Sequence, residues 1–499
     1  MHPTHRKVPA LVLAVVFFVA CSSTTIRFSP FEKPAIESSP SVVVRTKDGV
    51  ETVVNRPRLA EGRITGTSDK SKAVSIDAAT IESVTVRKTD LTYAILFGGL
   101  AAIELVLAIG AKTAPSPPPV TSCPFVFTFD GTRFVLEAEP YGGAICRALE
   151  RTEWIPLERL RDLQGSYRLR MTNELQEIEH TDEVKILAID HPAEVRVLPD
   201  PFGRLYTIRA PLPPLRAVDG NNRDVRTALE KRDGLFWESS AAGHKPGADC
   251  LREEIVIEFP KPAGARTAKL VAEAWTTLWG SQVAKSFLEY LGSDLPAFFR
   301  NVNARGPAYA RLMKWYAREE LYLLKVQVET PAGWVPRTVI YGGGPYVAKE
   351  KAYLINVSDV PGDRLKLRLK PPTGFWRLDS LAVDYSEDAP IFVCEIQAAA
   401  AIDGKGADVR SLLVRTDGVF QDMPGRGDSV DLVFPAPPAV PGLERSFILK
   451  ASGWYDIRLR SAGEPRRDIV DRILDEPGVT LRLARERSSK KEGSGRDAH

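Results

Sequence analysis

The amino-acid sequence predicts a mainly β protein. It predicts a small SH3-like β-module, an apolar helix, a Pro-rich linker and a larger β-sandwich body with a short helical insertion. Short runs such as residues 81–87 alternate apolar and polar residues with the period of two that strands require. Aromatic runs flank Asp130-Gly131, which is a strong hairpin signal. Helical spacing of apolar residues is concentrated in one region, 281–318.

The composition is that of an ordinary globular protein. A chain of 499 residues suggests roughly two to four domains. Hydrophobic residues make up 44%, which is enough for sizeable cores. With 67 basic and 64 acidic residues the net charge is only +3, so the sequence gives no electrostatic basis for binding nucleic acid.

The first twenty residues are predicted to be a signal peptide. Basic residues at positions 5–7 precede an uncharged stretch, 8–20, that is too short for a comfortable membrane span. The run Phe18-Val19-Ala20-Cys21 follows, and it resembles the lipobox of bacterial lipoproteins. In that family the cysteine is diacylated, the peptide is cut before it and the new amino terminus is acylated. The resemblance therefore implies lipidation of Cys21. The alternative is an ordinary cleaved signal with a chance cysteine, since the family most often has Leu where Phe18 stands.

The resemblance also implies a location in the cell envelope. Two or three acyl chains hold a soluble body on a membrane almost permanently. Ser22 is not the Asp that favours inner-membrane retention in Gram-negative members of the family. If the cell is Gram-negative, the outer membrane is favoured. The sequence does not distinguish its periplasmic face from its surface face.

Before the body, the chain divides into four predicted segments. Residues 21–40 are Ser- and Pro-rich and are predicted to be a tether, and 41–90 a small β-barrel or roll. The apolar segment 91–112 is predicted to be a helix that spans the membrane, lies on it or packs on the protein. A span conflicts with an anchor at Cys21, because it would separate the body from the first module. Residues 113–120 form a Pro-rich linker.

The body is predicted to comprise a β-rich domain at 121–280, a helical segment at 281–318, a β-sandwich region at 319–487 and a disordered tail at 488–499. Five strand-like runs with a Trp-bearing hairpin, between residues 321 and 384, look like part of a galactose-binding-like jelly roll. That fold covers many carbohydrate-binding and adhesive modules. The whole body is also similar to uncharacterised bacterial lipoproteins, a resemblance that implies no known activity.

Four cysteines remain beyond Cys21. An even number in an exported chain allows disulfides. Cys123 and Cys146 flank the predicted hairpin and are the favoured pair. Four free buried thiols are the alternative.

The densest potential metal cluster is Glu177-Ile-Glu-His180 with Asp182 and Glu183. In a strand Glu177 and Glu179 share one face while His180 points to the other. The side chains therefore do not converge on one ion, and a solvated strand edge is predicted instead of a metal site.

No catalytic motif is present. Gly342-Gly343-Gly344 lacks the Lys-Ser/Thr of a phosphate-binding loop and is predicted to be a hairpin turn. Neither Gly-x-Ser-x-Gly nor His-Glu-x-x-His occurs. The sequence therefore predicts no enzyme activity, no cofactor and no metal.

The leading functional hypothesis is a lipid-anchored cell-envelope protein with a structural or protein-interaction role. Its partners would be the membrane, through the lipid anchor, and envelope proteins or glycans. The alternatives are a carbohydrate-binding module and a hydrolase with an unrecognised active site. Trp334, beside a Gly-Trp hairpin, is the candidate sugar contact, although packing accounts for most tryptophans.

Overall fold

The computed structural model describes residues 24–28, 41–48, 50–60, 62–68, 72–88, 124–239, 251–457 and 463–494. Contacts divide the chain into two units, Met1–Pro118 and Pro119–His499. The predicted apolar helix at 91–112 and the linker at 113–120 lie outside the described residues, as do residues 1–23.

The amino-terminal unit contains one antiparallel sheet in the order β1-β6-β2-β3-β4-β5. Its strands are β1 (Thr24–Phe28), β2 (Ser41–Thr46), β3 (Glu51–Ala60), β4 (Arg63–Thr67), β5 (Ala73–Asp77) and β6 (Ile81–Lys88). Alternate residues such as Val42, Val44 and Val84 point into one small core. Strand β1 lies within the segment predicted to be a tether. Its Thr-Thr-Ile-Arg-Phe sequence is rich in β-branched residues, and it pairs with β6.

The body is built from many short strands and five helices among its described residues. The strands are β7 (Phe125–Phe129), β8 (Phe134–Ala138), β9 (Arg151–Pro156), β10 (Ser166–Thr172), β11 (Glu177–His191), β12 (Arg196–Pro199), β13 (Leu205–Ile208), β14 (Arg216–Asp219), β15 (Trp237–Glu238), β16 (Ile255–Pro260), β17 (Thr267–Thr276), β18 (Leu323–Thr330), β19 (Gly333–Tyr341), β20 (Lys349–Asn356), β21 (Arg364–Leu369), β22 (Trp376–Asp384), β23 (Phe392–Gln397), β24 (Ala400–Asp403), β25 (Gln421–Met423), β26 (Ser429–Pro435) and β27 (Glu444–Ile457). The mainly β prediction is confirmed, as is the hairpin of β7 and β8 around Asp130-Gly131.

The helices are α1 (Leu278–Tyr290), α2 (Leu295–Asn303), α3 (Pro307–Glu319), α4 (Arg467–Asp475) and α5 (Val479–Ser494). The side chain of Thr277 caps α1 by accepting a hydrogen bond from the Gly280 amide, 3.0 Å away. Helices α1 and α3 match the helical spacing in the sequence. Helix α2 also lies within the segment predicted to be helical, at 281–318, and α5 continues to Ser494, into the segment predicted to be disordered.

Apart from β12 and β13, which pair as a separate two-stranded sheet, the strands of the body form two β-sandwiches, one inserted into the other. The outer sandwich has sheets ordered β24-β26-β10-β7-β8 and β23-β11-β27-β9, with β25 also paired to β11. The inner sandwich has sheets ordered β14-β16-β21-β18-β19 and β15-β22-β17-β20. Helices α1 to α3 lie between β17 and β18 in the chain. The jelly-roll-like prediction is therefore supported at the level of a β-sandwich.

The nested arrangement differs from the linear division at residues 280 and 319. Strand β10 pairs with β26, and β11 pairs with β27 along its whole length. Strands from both ends of the body thus complete the same sheets. Apolar residues of both sandwiches and of α1 and α3 belong to one continuous core, which contains Met171, Leu270, Phe287, Trp315 and Leu449.

A buried ion network joins the two sandwiches. Lys349 on β20 contacts the carboxylate of Glu153 on β9, and only 2% of the Lys349 side chain is exposed. The ammonium group of the neighbouring Lys351 donates a hydrogen bond to the Trp154 carbonyl, 2.9 Å away. Since both lysines belong to the inner sandwich and both partners to the outer one, these contacts fix the relative position of the two sandwiches.

Candidate functional site

A narrow cleft lies where the helical insertion meets both sandwiches. The space in it that the centre of a water molecule can reach is about 10 Å³, which is room for roughly one water. Its polar lining comes from Ser281 and Lys285 on α1, from Tyr322 and Tyr455, and from the backbone of the 342–345 turn. We call it the helix cleft.

The glycine-rich wall of the helix cleft is held from behind by Glu139. This carboxylate accepts hydrogen bonds from the amides of Tyr346 and Val347, at 2.9 and 3.1 Å. The Thr276 hydroxyl donates to the Gly343 carbonyl, 2.7 Å away. The hairpin prediction for this turn is wrong, because β19 and β20 belong to different sheets and the turn connects them. The amides of Tyr346 and Val347, directly after the turn, hold an internal carboxylate.

Position 344 requires glycine because the carboxylate of Glu139 packs directly against its backbone. A Cβ atom at this position would lie 1.7 Å from Oε1 of Glu139. We expect Gly344→Ala to lower the free energy of unfolding by about 1–3 kcal/mol, the usual range for overpacking. Gly220→Ala is the control, because its Cβ would meet nothing nearer than 3.6 Å. Chemical denaturation of the three proteins measures the difference, and equal midpoints for both variants would contradict the predicted crowding.

Lys285 is the unusual residue of the helix cleft. Its exposed fraction is 4%, yet the described residues provide no hydrogen bond or ion pair to its ammonium group. Burial lowers the pKa of Lys285, and Glu289, one turn further along α1, only partly opposes this. Ser281 lies one turn before Lys285 and is 7% exposed. Residues four apart on a helix share one face, so both side chains border the same space.

The carboxylates of Glu177 and Glu179 are buried, so the prediction of a solvated edge is wrong for them. Both side chains are fully buried on β11. Neither oxygen of Glu179 has a hydrogen-bond partner among the described residues. Burial raises the pKa of Glu179 well above its usual value, and the nearby charges of Glu177, Glu174 and Asp428 raise it further. The predicted alternation is correct, because His180 lies on the opposite face.

His180 is held by cross-strand neighbours. Its Nδ1 lies 2.7 Å from Asp422 on β25, and its ring stacks on Trp454 of β27 with the centroids 4.0 Å apart. Burial lowers the pKa of His180, but Asp456 and Asp422 outweigh burial and raise it. These contacts are pairs between adjacent strands, and their evident role is to join β25 and β27 to β11.

A row of carboxylates crosses one sheet of the inner sandwich. Glu350, Glu273 and Asp379 lie on the adjacent strands β20, β17 and β22, with exposed fractions of 3–6%. Burial raises the pKa of Glu273 to about 7, although Arg232, 2.8 Å away, lowers it. Because all three are buried, a large substrate has no direct access to them.

The described residues contain no group of three or more His, Cys, Asp or Glu side chains placed to hold a metal ion. None of the helices among them is long and apolar enough to cross a membrane. Cys146 is buried and forms no disulfide with another described residue, and burial raises the pKa of its thiol to about 11. Its predicted partner Cys123 lies outside the described residues, as does Cys21, so both predictions stand untested.

Trp334 lies at the start of β19 and is half-buried. The guanidinium of Arg368 lies over its ring, 4.6 Å from the centroid. One face of the ring is therefore covered by the protein itself. Trp237, Trp376 and Trp454 are buried, so they offer no ring face to a sugar.

Sequence reasoning missed Ser281 and Lys285. The segment was recognised as helical from Val283, Phe287, Leu288 and Leu291, which are all buried or nearly so. The signal that could have found the site is a lysine beside this apolar stripe, four residues after a serine. A charged residue near a buried helix face requires a partner or a site.

Comparisons with known proteins do not identify the chain. No protein-family model and no curated protein matches it. One solved structure, described as "Life in the extremes: atomic structure of Sulfolobus Turreted Icosahedral Virus", aligns with 70% of this chain and 100% of its own, at 8% identity and a TM-score of 0.14. Another, "The Triple Jelly Roll Fold and Turret Assembly in an Archaeal Virus", covers 69% and 98%, at 10% identity and a TM-score of 0.14. These scores are too low to support any argument about fold or function.

Proposed function

We propose that the protein is a lipid-anchored cell-envelope protein with a structural or protein-interaction role. The observation that carries this proposal is the run Phe18-Val19-Ala20-Cys21 at the end of an uncharged stretch behind a basic start. Acylation of Cys21 would hold the body at a membrane without a spanning helix. The outer membrane is the expected location if the cell is Gram-negative.

The body supports an interaction role more than a catalytic one. The groups of ionisable side chains around Glu179, Glu273 and Glu153 are buried and shielded from large substrates. The charges around Glu153 link the two sandwiches. A sugar-binding role draws less support, because Arg368 occupies one face of Trp334. The partners would be envelope proteins or glycans, with no cofactor required.

Substitution of Cys21 tests the anchor. We expect Cys21→Ser to abolish incorporation of a labelled fatty acid and to move the protein from the membrane fraction to the soluble fraction. Cys394→Ser is the matched control, because Cys394 is an exposed, free cysteine of the body. It should leave labelling and fractionation unchanged. If the Cys21→Ser variant remained on membranes as before, the lipid anchor would be refuted and the apolar segment at 91–112 would be the anchor to test next.

A further inference from the structure

The helix cleft is bordered by a largely buried lysine whose ammonium group has no hydrogen bond or ion pair among the described residues. Burying an ammonium group without a counter-ion is costly, and proteins usually pair such a group. Lys285 is 4% exposed and has no hydrogen bond or ion pair among the described residues. Its side chain borders the open space of the cleft. Within the described part of the chain, the ammonium group is therefore open to a group that enters from the cleft.

A hydrogen-bonding group stands beside this charge. Ser281 is one helical turn before Lys285, also lines the cleft, and has no recorded hydrogen-bond partner for its hydroxyl within the described part of the chain. Both residues project from α1, whose first turn is fixed by the Thr277 cap. The opposite wall is fixed by Glu139 through the amides of Tyr346 and Val347. An incoming group would thus meet an already formed site.

We propose that Lys285 and Ser281 bind the carboxylate end group of a ligand in the helix cleft. A carboxylate has two oxygens, of which one can accept from the ammonium and the other from the hydroxyl. Its single negative charge matches the single lysine. A doubly charged phosphate would meet the additional negative charge of Glu139 directly behind Gly344. The cleft is narrow, so it would admit an end group while the rest of the ligand stays outside.

This inference is independent of the lipid anchor, because it concerns only the body. The carboxylate could belong to the free C-terminus of a peptide or to a small organic acid. The test measures the melting temperature of the full-length protein in detergent. The additives are N-acetyl-trialanine, the same peptide with a C-terminal amide, sodium acetate and sodium chloride, all at equal ionic strength. Stabilisation by a ligand follows its concentration relative to Kd, and at ten times Kd we expect the melting temperature to rise by about 2 °C.

We expect the melting temperature to rise with the peptide acid, with acetate or with both. It should not change with the peptide amide or with chloride. A rise with acetate alone would identify small organic acids as the source. Lys285→Met should abolish the response, and Ser281→Ala should weaken it. Lys285→Met removes a desolvated charge while keeping an unbranched side chain, so we expect it to fold at least as stably as the unchanged protein.

Lys314→Met is the matched control. It removes an exposed lysine from α3, in the same helical insertion, and should leave the response intact. The proposal would be overturned if the melting temperature rose equally with the peptide acid and its amide, or equally with acetate and chloride. It would also be overturned if the rise persisted in Lys285→Met, or if no carboxylate raised the melting temperature.

Discussion

Replacement of Glu153 by Gln is expected to lower the free energy of unfolding by about 3–5 kcal/mol, the usual cost of leaving a buried charge without its partner. Glu153 contacts Lys349, and its Oε1 lies 2.9 Å from Nε of Arg151. Lys351 is close enough to contribute to the same group. Without the carboxylate, three cationic groups would face one another at the junction of the two sandwiches.

The same residue predicts an acid-sensitive contribution to stability. Burial raises the pKa of Glu153, but Lys349, Arg151 and Lys351 outweigh burial and lower it to about 2 from 4.5. A lowered pKa means that the stabilisation is present above pH 4.5 and is lost as the pH falls towards 2. The total is about 3 kcal/mol, at about 1.4 kcal/mol for each pKa unit.

The double variant Glu153→Leu with Lys349→Met is the informative control for this prediction. Replacing both members of a buried ion pair by apolar groups is often close to neutral. Denaturant unfolding at pH 7 should therefore place the double variant nearer to the unchanged protein than Glu153→Gln. If Glu153→Gln were as stable as the unchanged protein, the network would not be what joins the sandwiches.

Glu179 is expected to make the free energy of unfolding fall as the pH rises, which is the opposite of the effect of Glu153. Glu179→Gln should remove this dependence. Burial and the neighbouring charges of Glu177, Glu174 and Asp428 raise the pKa of Glu179 well above 4.5. A raised pKa means that the folded state holds the proton more tightly than the unfolded state. The stabilisation is thus complete below pH 4.5 and is lost as the pH rises to the folded-state pKa. The slope from this group is about 1.4 kcal/mol for each pH unit.

Unfolding measured at a series of pH values between 5 and 8 checks this expectation. Glu179→Gln should make the free energy of unfolding depend less on pH. The variant should become increasingly more stable than the unchanged protein as the pH rises. Glu444→Gln, at an exposed position on β27, should leave the slope as it is. Parallel profiles for Glu179→Gln and the unchanged protein would show that Glu179 does not titrate in this range.

Local patterns in the sequence predicted many of the strands and most helices, but not β1, which lies in the segment predicted to be a tether. Alternation placed Glu177 and Glu179 on one face and His180 on the other, which the structure confirms. Alternation does not tell which face is buried, and β11 is covered on both sides. The polar character of Glu177 and Glu179 suggested solvent, whereas the fold buries them.

The nested topology could not be predicted from local patterns. The Arg170–Asp431 contact between β10 and β26 joins residues 261 positions apart. Strand propensity carries no information about pairing over such a distance. The helix cleft has the same origin, because Lys285 and Tyr455 meet only once the inner sandwich is docked in the outer one.

The insertion of one sandwich into the other also determines how long the outer sheets remain unfinished during synthesis. At a synthesis rate of roughly 5–20 residues per second, the 261 residues between Arg170 and Asp431 take roughly 13–52 s to emerge. For that interval β10 and β11 have unpaired edges that other chains can join, because their partners β26 and β27 have not yet been made. The risk of aggregation for a newly made chain is thus set by the length of the insertion, independently of how stable the finished protein is.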